Sequence, residues 1–158
     1  MRTFARLSAV LLLATSAAAL AAGDPGGSSV APPKDPVLEK VAEATRAKNW
    51  TAAQEVLRDA VAREPRNADY HNLYAYTVRK GANPDMSLVF KEYNAALQID
   101  PKHRQAHEYL GEAYLMVGNL AKAKEHLKVL DGLCTFGCSE YSDLKKAIAE
   151  YETKQAAR

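Results

Sequence analysis

Residues 110–130 of the sequence read LGEAYLMVGNLAKAKEHLKVL. Large, small and aromatic side chains recur in this stretch at intervals of 1, 3, 9, 4 and 3 residues: Leu110, Gly111, Tyr114, Ala123, Leu127 and Leu130. Small residues let two helices approach closely, and the larger residues fill the space around the contact. The spacing therefore predicts two packed helices in which Gly111 faces Ala123.

A similar arrangement occurs twice before this stretch. Pro65 and Pro101 lie 36 residues apart, and each precedes a segment of helical character. We expect the earlier helices to pack through residues at equivalent spacings: Ala53, Leu57 and Ala60 in the first unit, and Tyr74, Ala75, Val89, Tyr93 and Ala96 in the second. Self-similarity at such a period is typical of solenoids made of stacked helix pairs.

These positions resemble the tetratricopeptide repeat, a pattern of about 34 residues that forms two helices, A and B. The resemblance implies an all-α superhelix with three repeats, over residues 35–67, 68–103 and 104–135. The first unit departs from the pattern in helix A, and the A–B turn of the second unit, from Gly81 to Met86, is two residues longer than the pattern. Within residues 136–158, one helical face carries four large residues and predicts a capping helix: Tyr141, Leu144, Ile148 and Tyr151.

Helix boundaries are indicated by capping residues, proline and glycine. Three capping side chains precede a proline that we expect at the first helical position: Asp35-Pro36, Asn83-Pro84 and Asp100-Pro101. Gly81 and Gly118 are expected where helices end. No stretch alternates for long enough to predict a strand. The seven predicted helices cover residues 36–47, 50–63, 68–80, 84–98, 102–116, 120–131 and 139–154.

The beginning of the chain has the layout of a cleaved secretory signal. Arg2 and Arg6 give it a basic start, residues 7–13 an apolar core, and residues 17–22 a run of small side chains. We expect a signal peptide over residues 1–21 with cleavage near Ala21, followed by a flexible Gly/Pro/Ser-rich linker over residues 22–34. No later segment is apolar for long enough to span a membrane. The sequence therefore predicts an exported protein, periplasmic or secreted.

The charge balance argues against nucleic-acid binding. The formal net charge of +2 equals the contribution of the two arginines in residues 1–21, which contain no acid. The rest of the chain is therefore neutral overall and lacks the surplus of basic residues that binds a phosphate backbone.

Cys134 and Cys138 are the two cysteines of the chain. In an oxidising compartment, a disulfide between these near neighbours is the default expectation, with Gly137 relaxing the turn between them. Three alternatives stay open: a redox-active pair, a metal site with His126 as a further ligand, or two free thiols.

His103 and His107 are four residues apart, a spacing that can place two metal ligands on one helix face. We favour a packing role, because His107 occupies a position that carries a large residue in the repeat and His71 occupies the equivalent position one unit earlier. We expect no metal and no cofactor. Trp50 is interpreted as an aromatic that packs between repeats.

The resemblance also implies a binding surface. In the family, A helices line a concave groove that holds partners, which here would use Asp69, Asn72, Tyr76, Arg79 and Lys80 of the second unit and Gln105, Glu108, Glu112, Leu115 and Met116 of the third. This mixture of charged, aromatic and apolar residues suits a protein or peptide segment. The set of Lys and Asn residues with which chaperone-binding members hold an acidic C-terminus is lacking. The alternative is that these residues are solvated helix faces without a partner.

The sequence thus predicts a non-enzymatic, exported interaction scaffold. It contains no Gly-rich phosphate loop and no nucleophile elbow. A thiol-redox or metal-handling protein that displays the Cys134–Cys138 loop is the alternative from another class. Self-association through the groove is a third hypothesis.

Overall fold

The computed structural model describes residues 35–157, which form seven α-helices and no strand. The predicted signal peptide, its cleavage site near Ala21 and the linker lie outside the described residues. The helices are α1 (Pro36–Arg46), α2 (Trp50–Arg63), α3 (Ala68–Lys80), α4 (Met86–Ile99), α5 (Arg104–Met116), α6 (Leu120–Leu133) and α7 (Ser139–Ala156). No helix among them is both long and apolar enough for a transmembrane span.

Side-chain caps fix where the helices begin. The Asp35 carboxylate accepts hydrogen bonds from the backbone N–H groups of Val37 and Leu38, at 2.8 and 3.3 Å, and Pro36 opens α1 as predicted.

The prediction was wrong for the other two prolines, because a capping side chain nearer each helix takes over. Asp85 accepts from the N–H of Leu88 at 3.1 Å, so α4 begins after Pro84. His103 Nδ1 accepts from the N–H of Ala106 at 3.2 Å, so Pro101 lies in the preceding turn.

The connections within the helix pairs have two forms. The α1–α2 and α5–α6 turns each contain one residue in the left-handed region, Lys48 with φ 54° and Gly118 with φ 78°. In both turns the N–H of the next residue bonds back into the first helix, from Asn49 to Ala44 and from Asn119 to Tyr114, each at 2.8 Å. The α3–α4 connection runs from residue 81 to residue 85 and is longer, as predicted.

The core consists of three apolar clusters that follow one another along the stack. The first joins α1, α2 and the start of α3 around Val41, Leu57, Ala60 and Tyr70. The second joins α3, α4 and α5 and contains Ala75, Val78, Val89, Tyr93, Leu110 and Ala113. The third joins α6 and α7 around Ala123, Leu130, Leu144 and Ile148. Each helix pair therefore buries its apolar surface against the next element, as a solenoid requires.

The residues proposed to pack the repeats are all buried or partly buried. Most are buried: Ala53, Leu57, Ala60, Ala75, Val89, Tyr93, Ala96, Leu110, Gly111 and Ala123. Tyr74, Tyr114 and Leu127 are partly buried.

Helix α7 makes a close approach to Gly111 that the repeat spacing did not predict. The three atoms nearest to the place where a Cβ on Gly111 would stand all belong to Leu144 of α7. The small residue of α5 thus admits the helix that follows the last repeat. The capping helix α7 packs on both α5 and α6.

Candidate functional site

The residues proposed for the groove are brought together by contacts between α3 and α5. Asn72 Nδ2 donates to Gln105 Oε1 at 2.8 Å, and Arg79 Nη2 lies 2.7 Å from Glu112 Oε2. At the start of the two helices, His103 Nε2 lies 3.0 Å from the Asp69 carboxylate. We call the surface that contains these contacts, together with the facing residues of α7, the A-helix surface.

Arg79 is the central cation of the A-helix surface. It is only 8% exposed, and its Nε donates to the Tyr93 hydroxyl at 3.3 Å. Its guanidinium carbon lies 5.4 Å from the ring centre of Tyr109 and 5.8 Å from that of Tyr76. Because its charge is engaged by Glu112 and two rings, Arg79 organises the surface instead of projecting toward a partner.

Aromatic rings continue this surface toward the first repeat. Tyr76 stacks on Tyr109 with ring centres 4.8 Å apart, and Trp50 meets the edge of Tyr76 at 6.1 Å. Trp50 therefore bridges α2 and α3, in agreement with its interpretation as an aromatic between repeats. Tyr109 was missed by the sequence analysis, although it precedes Leu110 directly. Burial, together with the nearby Glu108, raises the pKa of Tyr109 to about 12.

An acidic recess of about 300 Å³ lies between α5 and α7. Its lining residues are Glu108, Glu112, Asp143, Lys146, Ala147 and Glu150. Burial and the neighbouring carboxylates of Glu112 and Asp143 raise the pKa of Glu108 to about 7. Glu108 and Glu112 were predicted to line the groove, whereas the α7 residues were not, because α7 was interpreted as a cap and not as a part of the surface.

The other proposed groove residues differ in accessibility. Asn72, Arg79 and Glu108 are buried, Tyr76, Gln105, Glu112 and Leu115 are partly buried, and Asp69, Lys80 and Met116 are exposed. Leu115 packs against the α6–α7 cluster. The surface available to a partner is therefore narrower than the sequence implied, because the contacts between α3 and α5 cover several of its polar side chains.

Two buried histidines take equivalent places in successive repeats. The Nε2 atoms of His71 and His107 each lie 3.1 Å from a proline carbonyl, that of Pro65 and of Pro101 respectively. These contacts support the packing interpretation. His103 instead caps α5, so it does not form a ligand pair with His107.

The two histidines differ in the group that lies next to their Nδ1 atom. His71 Nδ1 lies 2.6 Å from the Glu92 carboxylate, whereas His107 Nδ1 lies 2.9 Å from His126 Nδ1. Burial and the proximity of His107 lower the pKa of His126 to about 4. His126 is thus engaged by a histidine and not by the cysteine loop.

The sulfurs of Cys134 and Cys138 form a disulfide across the α6–α7 connection. Cys134 caps the end of α6, and Cys138 Sγ accepts a hydrogen bond from the N–H of Tyr141 at 3.4 Å at the start of α7. Within the loop, Gly137 has φ 84° and the Phe136 ring is fully exposed. In residues 35–157 no three His, Cys, Asp or Glu side chains are grouped so that they could hold a metal ion.

The arrangement of helix pairs defines a class, the α-helical solenoid. Several solved structures resemble it, among them the following three. The TPR2B domain of yeast Sti1 in a pHsp70 complex has a TM-score of 0.66 and 18% identity, covering 75% of this chain and 94% of that chain. The TPR domain of Arabidopsis OM64 has a TM-score of 0.64 and 18% identity, covering 73% and 93%. PcrH in complex with the chaperone-binding region of PopD has a TM-score of 0.62 and 15% identity, covering 77% and 90%.

The particular solenoid is therefore the tetratricopeptide-repeat fold, which confirms the fold predicted from the repeat spacing. Neither a known family model nor a curated protein matches the sequence. At these identities the likeness to solved structures shows the fold alone.

Proposed function

We propose that this chain is a non-enzymatic scaffold that holds a protein or peptide segment along the A-helix surface. The observation that carries the proposal is the continuity of this surface across α3, α5 and α7, where partly exposed aromatic rings lead to an acidic recess. Aromatic rings, hydrogen-bonding groups and charged groups follow one another along this surface, and an extended peptide segment could contact all of them. Two structures of the same fold, Sti1 with pHsp70 and PcrH with a region of PopD, are complexes with proteins and support this use of the fold.

Affinity capture tests the scaffold function. The purified protein is immobilised and exposed to an envelope fraction of its own host, beside the variants Tyr76→Ala and Phe136→Ala. Both substitutions remove one aromatic ring, but Tyr76 lies on the A-helix surface and Phe136 lies on the disulfide loop. We expect Tyr76→Ala to lose the captured protein and Phe136→Ala to retain it, with thermal melts showing that both are folded. Equal recovery by both variants would show that the A-helix surface is not the binding site.

We further propose that the scaffold acts after export, in the periplasm or outside the cell. The proposal rests on the order of basic, apolar and small residues before Ala22 and on a disulfide that an oxidising compartment would maintain. N-terminal sequencing of the protein from fractionated cells tests it. A mature chain that starts near Ala22 is expected in the exported fraction, and an intact Met1 or formyl-Met1 in the cytosol would contradict export.

A further inference from the structure

Glu108 is a buried acid without a counter-ion. It is 8% exposed and lines the recess between α5 and α7. Within residues 35–157 its carboxylate receives no hydrogen bond and forms no ion pair. A buried carboxylate in this situation destabilises the fold when it is ionised, unless a positive group reaches it.

The charged groups around the recess supply that positive group only in part, because the charge of Arg79 lowers the pKa of Glu108 by less than burial and the neighbouring acids raise it. Arg79 is held by Glu112 at 2.7 Å, and Arg104 lies 3.8 Å from Glu140. Lys146 is the one basic residue among those that line the recess. Three acids of the lining form no ion pair among residues 35–157: Glu108, Asp143 and Glu150. The recess therefore carries an excess of negative charge.

The ligand that would balance this charge is an organic cation. The acids of the recess do not form a group of three that could chelate a metal ion in the described part of the chain. A flexible aliphatic stem could pass over Ala147 and place its charged end at Glu108. Lys and Arg side chains have this combination of an apolar stem and a cationic end.

We propose that the α5–α7 recess binds a Lys or Arg side chain of the segment that the A-helix surface holds. This inference rests on the proposed scaffold function and gives the bound segment its chemistry. Glu108 is the main anchor, and Asp143 and Glu150 form the rim. The surface therefore selects basic segments, in contrast to an arrangement that holds an acidic C-terminus.

A small probe tests the recess separately from any protein partner. ¹⁵N-labelled protein is titrated at pH 8 with N-acetyl-arginine amide and, in parallel, with neutral N-acetyl-citrulline amide. We expect amide shifts confined to the residues around Glu108 and Ala147 with the arginine probe, and at least about fivefold weaker binding of citrulline, because a charge-assisted hydrogen bond is lost. Equal binding of the two probes would overturn the proposal.

Two variants complete the experiment. Glu108→Gln keeps the shape of the side chain and removes its charge, and it should lower the affinity for the arginine probe at least about fivefold. Asp59→Asn removes an acid that is 65% exposed on α2 and should change nothing. If the Glu108→Gln variant bound the arginine probe as tightly as the wild type does, the recess would not be the binding site.

The pH dependence provides a second readout. The pKa of the Glu108 carboxyl is about 7, so the negative charge that attracts the probe is present at pH 8 and largely lost at pH 6. The other charged groups around this carboxyl are Glu112, Asp143, Glu140, Arg79, Lys146 and Glu150. The arginine probe should bind about three- to tenfold more weakly at pH 6. Glu108→Gln should remove most of this difference. If envelope capture depends on Tyr76 while the probe shows no preference for charge, the scaffold function stands and only the cation recess fails.

Discussion

The side chain of Leu144 in α7 closes over Gly111 in α5. The two methyl carbons of Leu144 lie 2.6 and 2.7 Å from the point where a Cβ on Gly111 would stand. Leu144 is fully buried, so it has little room to withdraw. This contact joins the last repeat to the capping helix.

The first prediction concerns this contact. Gly111→Val should destabilise the protein by about 2–3 kcal/mol, because the new side chain must displace Leu144 within a packed core. Leu144→Ala alone should cost about 2–5 kcal/mol through the cavity it leaves. The double variant should cost less than the sum, since valine then fills part of the cavity. Chemical denaturation of the four proteins gives the coupling, and strictly additive losses would contradict the contact.

The second prediction concerns Arg79. Arg79→Ala should lower the free energy of unfolding by about 2–4 kcal/mol, because it leaves the Tyr93 hydroxyl buried without its donor and Glu112 without its counter-ion. Arg79→Lys should lower the free energy of unfolding by a smaller amount, since lysine retains the positive charge but not the planar group between the rings. Arg58→Ala, at a side chain that is 65% exposed, is the control and should stay within about 0.5 kcal/mol. Urea denaturation measures all three.

The third prediction concerns the disulfide. Replacing both Cys134 and Cys138 by serine should reduce stability by about 2 kcal/mol, the loop-closure contribution of a ring this short. Serine at position 138 can still cap α7 through its hydroxyl, so the variant isolates the covalent bond from the cap.

The same proteins test the thiol-redox alternative. Wild-type protein should titrate no free thiol until it is denatured and reduced, and its melting temperature should fall toward that of the double variant with strong reductant. Reduction by mild thiols without any change in melting would instead favour a redox role.

The fourth prediction concerns pH and His126. Its pKa lies near 4 in the folded protein, below the usual value of an unfolded histidine, so the folded state resists protonation. The stability that the folded state gains from keeping His126 neutral is fully present above about pH 6.5 and is lost as the pH falls toward 4. At pH 5 the loss should be on the order of 1–2 kcal/mol.

A substitution taken from the preceding repeat tests this prediction. His126→Glu would present a carboxylate to His107, as Glu92 does to His71, and should reduce the fall in melting temperature between pH 7 and pH 5. Val129→Glu places the same charge at an exposed position of α6 and serves as the control. Parallel melting curves of the wild type and His126→Glu across this pH range would contradict the assignment.

Much of the fold could be predicted because its determinants are local. Amphipathic periodicity and capping side chains placed all seven helices, and the interval between Pro65 and Pro101 revealed the repeat. The starts of α4 and α5 were misplaced because Asp85 and His103 compete with the residues before the prolines, and a sequence does not show which cap forms.

The site was predicted less completely, because its contacts join separate repeats. The pairing of Arg79 with Glu112 depends on the position of α3 relative to α5 along their axes. Packing between the repeats sets this position. Gly111 was recognised as a position that needs a small residue, but the close approach of Leu144 from α7 was not predicted. The same helix supplies Asp143 and Glu150 to the recess, and spacing within one repeat carries no information about a helix that follows it.

The exposed side of helix α7 is poorly suited to packing against a further helix pair. Its buried side uses Leu144 and Ile148, whereas many of its other side chains are exposed and polar: Ser142, Asp143, Lys145, Lys146, Glu150, Glu152 and Thr153. A further helix pair stacked against those residues would have to desolvate several charges and would gain little apolar contact. Extending the array by design beyond α7 would therefore require exposed polar side chains of this helix to be made apolar first.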